Sequence, residues 1–255
     1  QSFRLATDWF FRAAAPRPNH ADYPDGHAGA QNNIGVLYSK GNMYRREDRR
    51  SDSKQFETKP YEQAALWFRR AAAKDYGEAY SNLGFLYEQG MLLTDDSGSK
   101  VPSLYREALR LYLRAADPGG IVRLKGEKAV ARLRQNVPGL TVAQYNLGSL
   151  FDPEEIISDG LTPAAEQEFR QNKNGERAEF WYGQAAAKGH AKAQVALAKR
   201  ILDCVLDHPG AAGRVLCLER QQAVRVVAPP VPMTGSPIAT ARAPMWPWAT
   251  PWFTS

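Results

Sequence analysis

Four histidines, at positions 20, 27, 190 and 208, are the side chains of this sequence best suited to metal binding or proton transfer. No two of them are spaced i, i+4, and none accompanies a cysteine at a zinc-site spacing. His20 and His27 share a polar loop with Asp22 and Asp25, where a metal site is conceivable. A solvated loop is the simpler interpretation, so the sequence predicts no metal centre.

The carboxylates suggest no fixed pair for general acid–base catalysis, because Glu154-Glu155 and Asp95-Asp96 both fall in predicted loops. The sequence also lacks a glycine-rich phosphate loop and the strand–turn–helix motif that holds a nucleophilic serine. We therefore predict a protein that is not an enzyme and that binds no cofactor.

Two cysteines, Cys204 and Cys217, flank the segment 205–216. If that region is a helix, a turn and a helix, the two sulfur atoms could face each other across an antiparallel pair and form a disulfide. The alternative is two free thiols, because buried free cysteine is common and two cysteines make a weak framework.

Two helical motifs, each present four times, supply the elements that position these groups. The first motif has a large residue, an aromatic ring, two variable positions and an Ala pair, in that order, and it occupies 9–14, 67–72, 111–116 and 181–186. The second has a small residue at its centre and occupies 30–38, 79–87, 143–151 and 193–201. Apolar residues recur along one helical face in both motifs. Such a pair cannot bury both faces alone, so we expect the copies to stack.

Large and small residues at matched positions define the predicted core, because small residues let helix axes approach and large ones fill the gap beyond them. The predicted core positions are Trp9, Trp67, Tyr112, Trp181, Gly35, Gly84 and Gly148. The second Ala of the pair precedes the next small residue by 12 positions in copies two and four, but by 21 and 32 in copies one and three. Copies one and three therefore carry inserts of 9 and 20 residues inside the repeat.

The segments AALWFRRAAAKDYGEAYSNLGFLYEQG (64–90) and AEFWYGQAAAKGHAKAQVALAKRI (178–201) resemble Sel-1-like repeats, which are relatives of tetratricopeptide repeats. The resemblance covers residues 3–204, with gaps. It implies an all-α, right-handed superhelical solenoid of about four helix pairs. Known members of the family are adaptors and scaffolds for other proteins. Some members from oxidising compartments use cysteines to staple helix pairs, which would suit Cys204 and Cys217.

The predicted organisation is a helical array over 1–227 and an extended tail over 228–255. The predicted pairs lie at about 3–41, 61–90, 103–152 and 176–204, with additional helices in 121–136 and 162–172 and a capping helix at 214–227.

Net charge is +6, with a sequence pI near 9.3, which permits contact with nucleic acid or an anionic membrane. A dispersed basic surface that meets an acidic partner is the simpler interpretation. The most basic cluster consists of Arg45, Arg46, Arg49 and Arg50. Nearby acidic residues at 47, 48 and 52 dilute its field, and the variable positions of the first motif form no consistent code for reading bases. An acidic protein partner is therefore preferred to RNA.

Seven prolines in the tail favour extended chain rather than helix. Its large apolar groups, Trp246, Trp248, Trp252 and Phe253, have no local core. Burial of one such ring contributes about 2–3 kcal/mol. We expect either a groove of the array itself or another subunit to hold the tail, and we favour another subunit.

These observations favour an accessory subunit of a large multi-protein complex. The basic pI and the start at Gln1 point to an organelle, such as a mitochondrion. No apolar run is long enough to span a membrane, so any membrane association would be peripheral, through a complex. The alternative is an adaptor that binds client proteins transiently, as family members do in endoplasmic-reticulum quality control. An RNA-binding helical repeat is the third hypothesis.

Deletion of residues 229–255 should release the protein from its assembly, because it removes the four aromatic anchors. Far-UV circular dichroism should show an unchanged helical signal, and co-purification should report the release. If the shortened chain co-purified with its partners as efficiently as the full-length chain, the accessory-subunit hypothesis would be contradicted.

Overall fold

A computed structural model describes residues 2–18, 24–41, 60–132 and 137–207 of the 255-residue chain. Within these ranges the regular structure is helical, apart from one isolated bridge between Thr94 and Lys100, so the all-α prediction is confirmed. The helices, in chain order, are α1 (Ser2–Ala14), α2 (Ala28–Ser39), α3 (Pro60–Ala72), α4 (Gly77–Glu88), α5 (Leu104–Ala116), α6 (Ile121–Lys125), α7 (Glu127–Arg132), α8 (Thr141–Phe151), α9 (Pro163–Gln171), α10 (Gly175–Ala187) and α11 (Ala191–Asp207). None of these helices is long and apolar enough to cross a membrane.

Side-chain caps fix where several helices begin. The hydroxyl of Ser103 accepts a hydrogen bond from the Arg106 N–H at 3.0 Å at the start of α5. Thr162 caps α9, whose first residue is Pro163, and Asn174 caps α10. Each cap satisfies a backbone donor that the helix itself leaves without a partner.

Adjacent helices pack as pairs, namely α1 with α2, α3 with α4, α5 with α8, and α10 with α11. The most extensive contacts join the second helix of one pair to the first helix of the next, at α2–α3, α4–α5 and α8–α10. Each pair is therefore buried mainly by its neighbours along the chain. The inserted helices lie outside this succession: α9 contacts α5, and α7 contacts α10.

An aromatic ring lies directly against a glycine at each of the three junctions between pairs. A Cβ atom added to Gly35 would lie 2.5 Å from the ring of Phe68, one on Gly84 would lie 2.8 Å from Tyr112, and one on Gly148 would lie 2.3 Å from Tyr182. All three rings are buried. The ring is the second residue of the first motif, and the glycine is the centre of the preceding second motif, so the motif pattern sets the spacing of the pairs.

A second repeated contact closes each pair from within. The residue that follows the first Ala of the second motif donates a side-chain hydrogen bond to the carbonyl of the second Ala in the first motif. The four bonds run from Gln31 to Ala14 at 3.1 Å, Tyr80 to Ala72 at 2.7 Å, Gln144 to Ala116 at 3.1 Å, and Gln194 to Ala186 at 3.2 Å. These bonds satisfy carbonyls that the end of the first helix leaves open.

Both inserts return to the array through a glycine packed against the end of the first helix. Gly26 and Gly139 have φ angles of +84° and +118°, and an added Cβ would lie 2.1 Å from the Ala14 oxygen or 2.3 Å from the Ala116 oxygen. A lysine of the next pair then holds the end of each insert. Lys74 donates a hydrogen bond to the carbonyl of Gly26 at 2.8 Å, and Lys188 donates one to that of Gly139 at 3.1 Å. The two inserts therefore end in the same contacts, although one has 9 residues and the other 20.

Trp9 is 63% exposed, so the prediction that it is a core residue is wrong. No helix precedes α1 in the described chain to cover this ring, and the Arg12 guanidinium lies 5.1 Å from its centre. Trp67 is half-buried against Phe11, with ring centroids 5.6 Å apart, whereas Trp181 is fully buried. Other predictions lie outside the described residues: the four-arginine loop, Cys217, the capping helix 214–227 and the four aromatic residues of the tail.

We expect Gly148→Ala to lower the free energy of unfolding by about 1–3 kcal/mol, because the new methyl group overlaps the buried Tyr182 ring. Gly77→Ala is the matched control, since nothing lies within 4 Å of its added Cβ. This control should be neutral or stabilising by up to about 1 kcal/mol. Urea titrations of the two variants would contradict the junction model if they gave equal midpoints.

Candidate interaction groove

A groove of about 1430 Å³ lies between α5, the inserted helices α6–α7 and α10. Its walls thus come from the first helices of the third and fourth pairs and from the 20-residue insert. Six cationic and four acidic residues line it, together with aliphatic and aromatic side chains. We call it the α5–α10 groove.

Three arginines form a row along the α5 wall. Arg106, Arg110 and Arg114 are exposed and spaced four residues apart, which places successive side chains about 6 Å apart along one helical face. Arg110 pairs with Glu107 at 2.8 Å, and Arg114 pairs with Asp75 at 2.7 Å. These pairs are exposed and therefore contribute little to stability, which leaves the arginines able to exchange partners.

The insert is held in place by one buried carboxylate. Asp117, at the end of α5, accepts hydrogen bonds from the backbone N–H groups of Ile121 at 2.9 Å and Val122 at 2.8 Å. It thereby caps the start of α6, which Gly120 enters with a φ of +63°. Two further cations, Arg123 and Lys125, are exposed on this wall.

Ion pairs tie the α10 wall to its surroundings. Arg177 of α10 lies 3.7 Å from Glu127 of α7 and 5.3 Å from the centre of the Phe151 ring. Glu179 lies 3.4 Å from Arg200, whose guanidinium also binds Asp152 at 2.7 Å. Arg200 and Asp152 are both largely buried, so removal of Arg200 would leave the Asp152 carboxylate without this cation.

The floor of the groove is apolar. Leu109, Leu113 and Phe180 are half-buried, so part of each side chain remains accessible. Beneath them lies Trp181, which is fully buried and packs edge-to-face on Phe180 with ring centroids 5.1 Å apart. The indole N–H of Trp181 has no acceptor within the described ranges. The groove therefore combines an accessible apolar floor with a cationic rim.

The structure describes two of the four histidines, and each begins a helix. The Nδ1 atom of His27 accepts a hydrogen bond from the Ala30 N–H, and that of His190 accepts one from Ala193, both at 3.2 Å. Within the part of the chain that is described, no group of three or more His, Cys, Asp or Glu side chains could hold a metal ion. Cys204 lies buried in α11; its pairing with Cys217 stays a prediction.

Of the predicted site residues that the structure describes, Trp181 alone lines the groove; Gly35, Gly84, Gly148 and Tyr112 lie at the junctions between pairs. The sequence interpretation did not single out the row of Arg106, Arg110 and Arg114, although its four-residue spacing was a readable signal. The groove itself gave no such signal, because the sequence predicts helix within 121–136 but not which helices of the array it contacts.

A partly buried acid–phenol pair lies at the α4–α5 junction. The Tyr112 hydroxyl donates to the Glu88 carboxylate at 2.6 Å. Burial raises the pKa of Glu88 to about 7, and nearby Glu155 adds to the effect, while the Tyr112 hydrogen bond and Lys173 oppose it. Burial and the carboxylate together raise the pKa of Tyr112 well above its usual value, so the phenol stays protonated.

No family model, curated protein or solved structure matches this chain. The likeness to Sel-1-like repeats therefore depends on the two quoted segments and on the repeated spacing of the motifs. Function must accordingly be argued from the groove and its surroundings.

The raised pKa of Glu88 predicts a pH-dependent stability. Its folded-state pKa of about 7 exceeds the ordinary value of 4.5, so its stabilising contribution is complete below pH 4.5 and is lost as the pH rises through 7. Glu88→Gln should therefore be more stable than the parent at pH 8 and nearly equal to it at pH 5. Urea unfolding at both pH values measures the difference.

Glu78→Gln, on the exposed side of α4, is the matched control for that experiment. It should leave the difference in unfolding free energy between pH 5 and pH 8 at the parent value. An equal effect of the two substitutions would show that Glu88 is not the titrating group.

Proposed function

We propose that this chain is a solenoid of Sel-1-like helix pairs that serves as a non-catalytic scaffold for protein interactions. In this proposal it is an accessory subunit of a larger assembly, and the α5–α10 groove is where it holds a partner. The succession of pairs, each packed on the next, supports the solenoid.

The observation that carries the proposal is the construction of the groove. Leu109, Leu113 and Phe180 expose apolar surface within an enclosure of about 1430 Å³, and the rim is charged. Binding sites commonly combine apolar lining with a few oriented polar groups. Trp181 and Tyr182 of α10 are fully buried, so this wall of the groove is already fixed before a partner binds. Binding therefore does not carry the entropic cost of ordering the wall.

An adaptor that holds its clients briefly is the second candidate. It would use the same groove, in which Leu109, Leu113 and Phe180 keep accessible apolar surface. The two candidates differ in the lifetime of the complex, since an accessory subunit remains bound through purification and an adaptor does not.

Photo-crosslinking from the groove floor tests the proposal. A benzoylphenylalanine at position 113, in the chain expressed in its native cells, should form adducts with one or a few proteins. The same probe at the exposed position 192 on α11, which does not line the groove, is the control. Equal adduct patterns at the two positions would contradict the groove as the interaction site.

The persistence of that complex separates the two candidates. If the crosslinked protein also co-purifies in constant ratio without irradiation, the chain is a resident subunit. If it is captured only by irradiation, the chain is an adaptor.

A further inference from the structure

We infer that the α5–α10 groove takes an acidic segment of a partner protein, one that carries aliphatic side chains among its carboxylates. This inference rests on the proposed function and names the chemistry of the partner at that same site.

The charges around the groove favour an anionic ligand. The acidic residues of the groove already interact within the chain: Asp117 caps α6, Glu127 pairs with Arg177, and Glu179 pairs with Arg200. By contrast, Arg106 and Arg123 have no carboxylate partner among the residues that the structure describes. The rim therefore presents positive charge that its own carboxylates do not neutralise, and it attracts an anionic ligand.

The spacing of the arginines on the α5 wall matches the spacing of carboxylates along a peptide. Carboxylates at i and i+4 of a helix repeat at about 6 Å, and those at i and i+2 of an extended chain repeat at about 7 Å. Both repeats match the row of Arg106, Arg110 and Arg114. Exposed charge pairs contribute only about 0.2–1 kcal/mol each, so charge alone gives weak binding.

The floor supplies the remaining affinity and identifies a protein as the ligand. Leu109 and Leu113 recur at the same four-residue spacing beside the arginines, and aliphatic side chains of a bound segment would cover them. A single-stranded nucleic acid needs open aromatic faces for its bases. Of the three aromatic rings that line the groove, Phe151 and Trp181 are buried, and Phe180 packs edge-to-face on Trp181.

Two other occupants lack the required charge. The tail of this chain, residues 228–255, contains no Asp or Glu and has one arginine, Arg242, so it does not complement a cationic rim. A second copy of the chain brings a net charge of +6, which opposes association through this surface. The tail and the groove are thus separate means of contact with partners.

Fluorescence anisotropy with the full-length chain and defined probes tests the inference. The first probe is a labelled peptide of about 15 residues that alternates Glu and Leu, long enough to span the arginine row even as a helix. Three further probes serve for comparison: the same peptide with Leu replaced by Ser, the same peptide with Glu replaced by Lys, and a single-stranded RNA of equal charge.

We expect the Glu/Leu peptide to bind at least about tenfold more tightly than the other three probes, because only it matches both rim and floor. The double substitution Arg106→Glu with Arg123→Glu should weaken its binding by about tenfold or more, because it replaces two attractions by two repulsions. Lys192→Glu, a charge reversal on α11 outside the groove, should leave the affinity unchanged.

Equal binding of the Ser peptide would overturn the role of the apolar floor, and tighter binding of the RNA would overturn the protein ligand. If Lys192→Glu weakened peptide binding as much as the double substitution, the affinity would depend on the net charge of the chain and not on the groove. If the Glu/Leu peptide does not bind but position 113 still crosslinks a protein, the acidic-segment inference fails and the proposed function stands. If both experiments fail, the groove is not an interaction site.

Discussion

The contact of an aromatic ring with a glycine is the constraint on which this structure depends. Phe68, Tyr112 and Tyr182 each occupy the space that a Cβ of the opposing residue would need, so the distance between successive pairs is set by the absence of one methyl group. Because interiors are packed as densely as crystals, such a contact leaves little freedom in register. The hydrogen bond within each pair, from the second-motif side chain to the end of the first helix, then fixes the two helices of a pair relative to each other.

The groove follows from that fixed register and from one local addition. Stacking brings α5 and α10 into the same region because α8 lies between them and contacts both. The insert then adds a third wall, capped by Asp117 and joined to α10 by Glu127 and Arg177. The charged rim and the apolar floor reside on helices whose opposite faces are buried, so the site is held by the core of the protein.

Periodicity made the helices and the junction residues predictable, because ring, glycine and Ala pair recur at regular positions. The same periodicity misplaced Trp9: its position matches that of Trp67, which packs on Phe11 of the preceding pair, whereas no helix of the described chain covers Trp9. The groove was not predictable, because its third wall depends on a single carboxylate that binds two backbone N–H groups four and five residues ahead. The pKa of Glu88 was equally hidden, since it arises from burial by elements distant in the sequence.

The return of each insert through Gly26 or Gly139 has a consequence for how such chains change over time. Both loops leave the end of a first helix and come back to the same carbonyl oxygen, where a lysine of the following pair binds them. Any segment that begins and ends at those two points can be exchanged, lengthened or shortened without moving a helix, because loop closure costs little as length grows. Evolution, and equally a protein engineer, can therefore graft a new recognition element onto this scaffold at a position chosen in advance, while the stack itself stays unaltered.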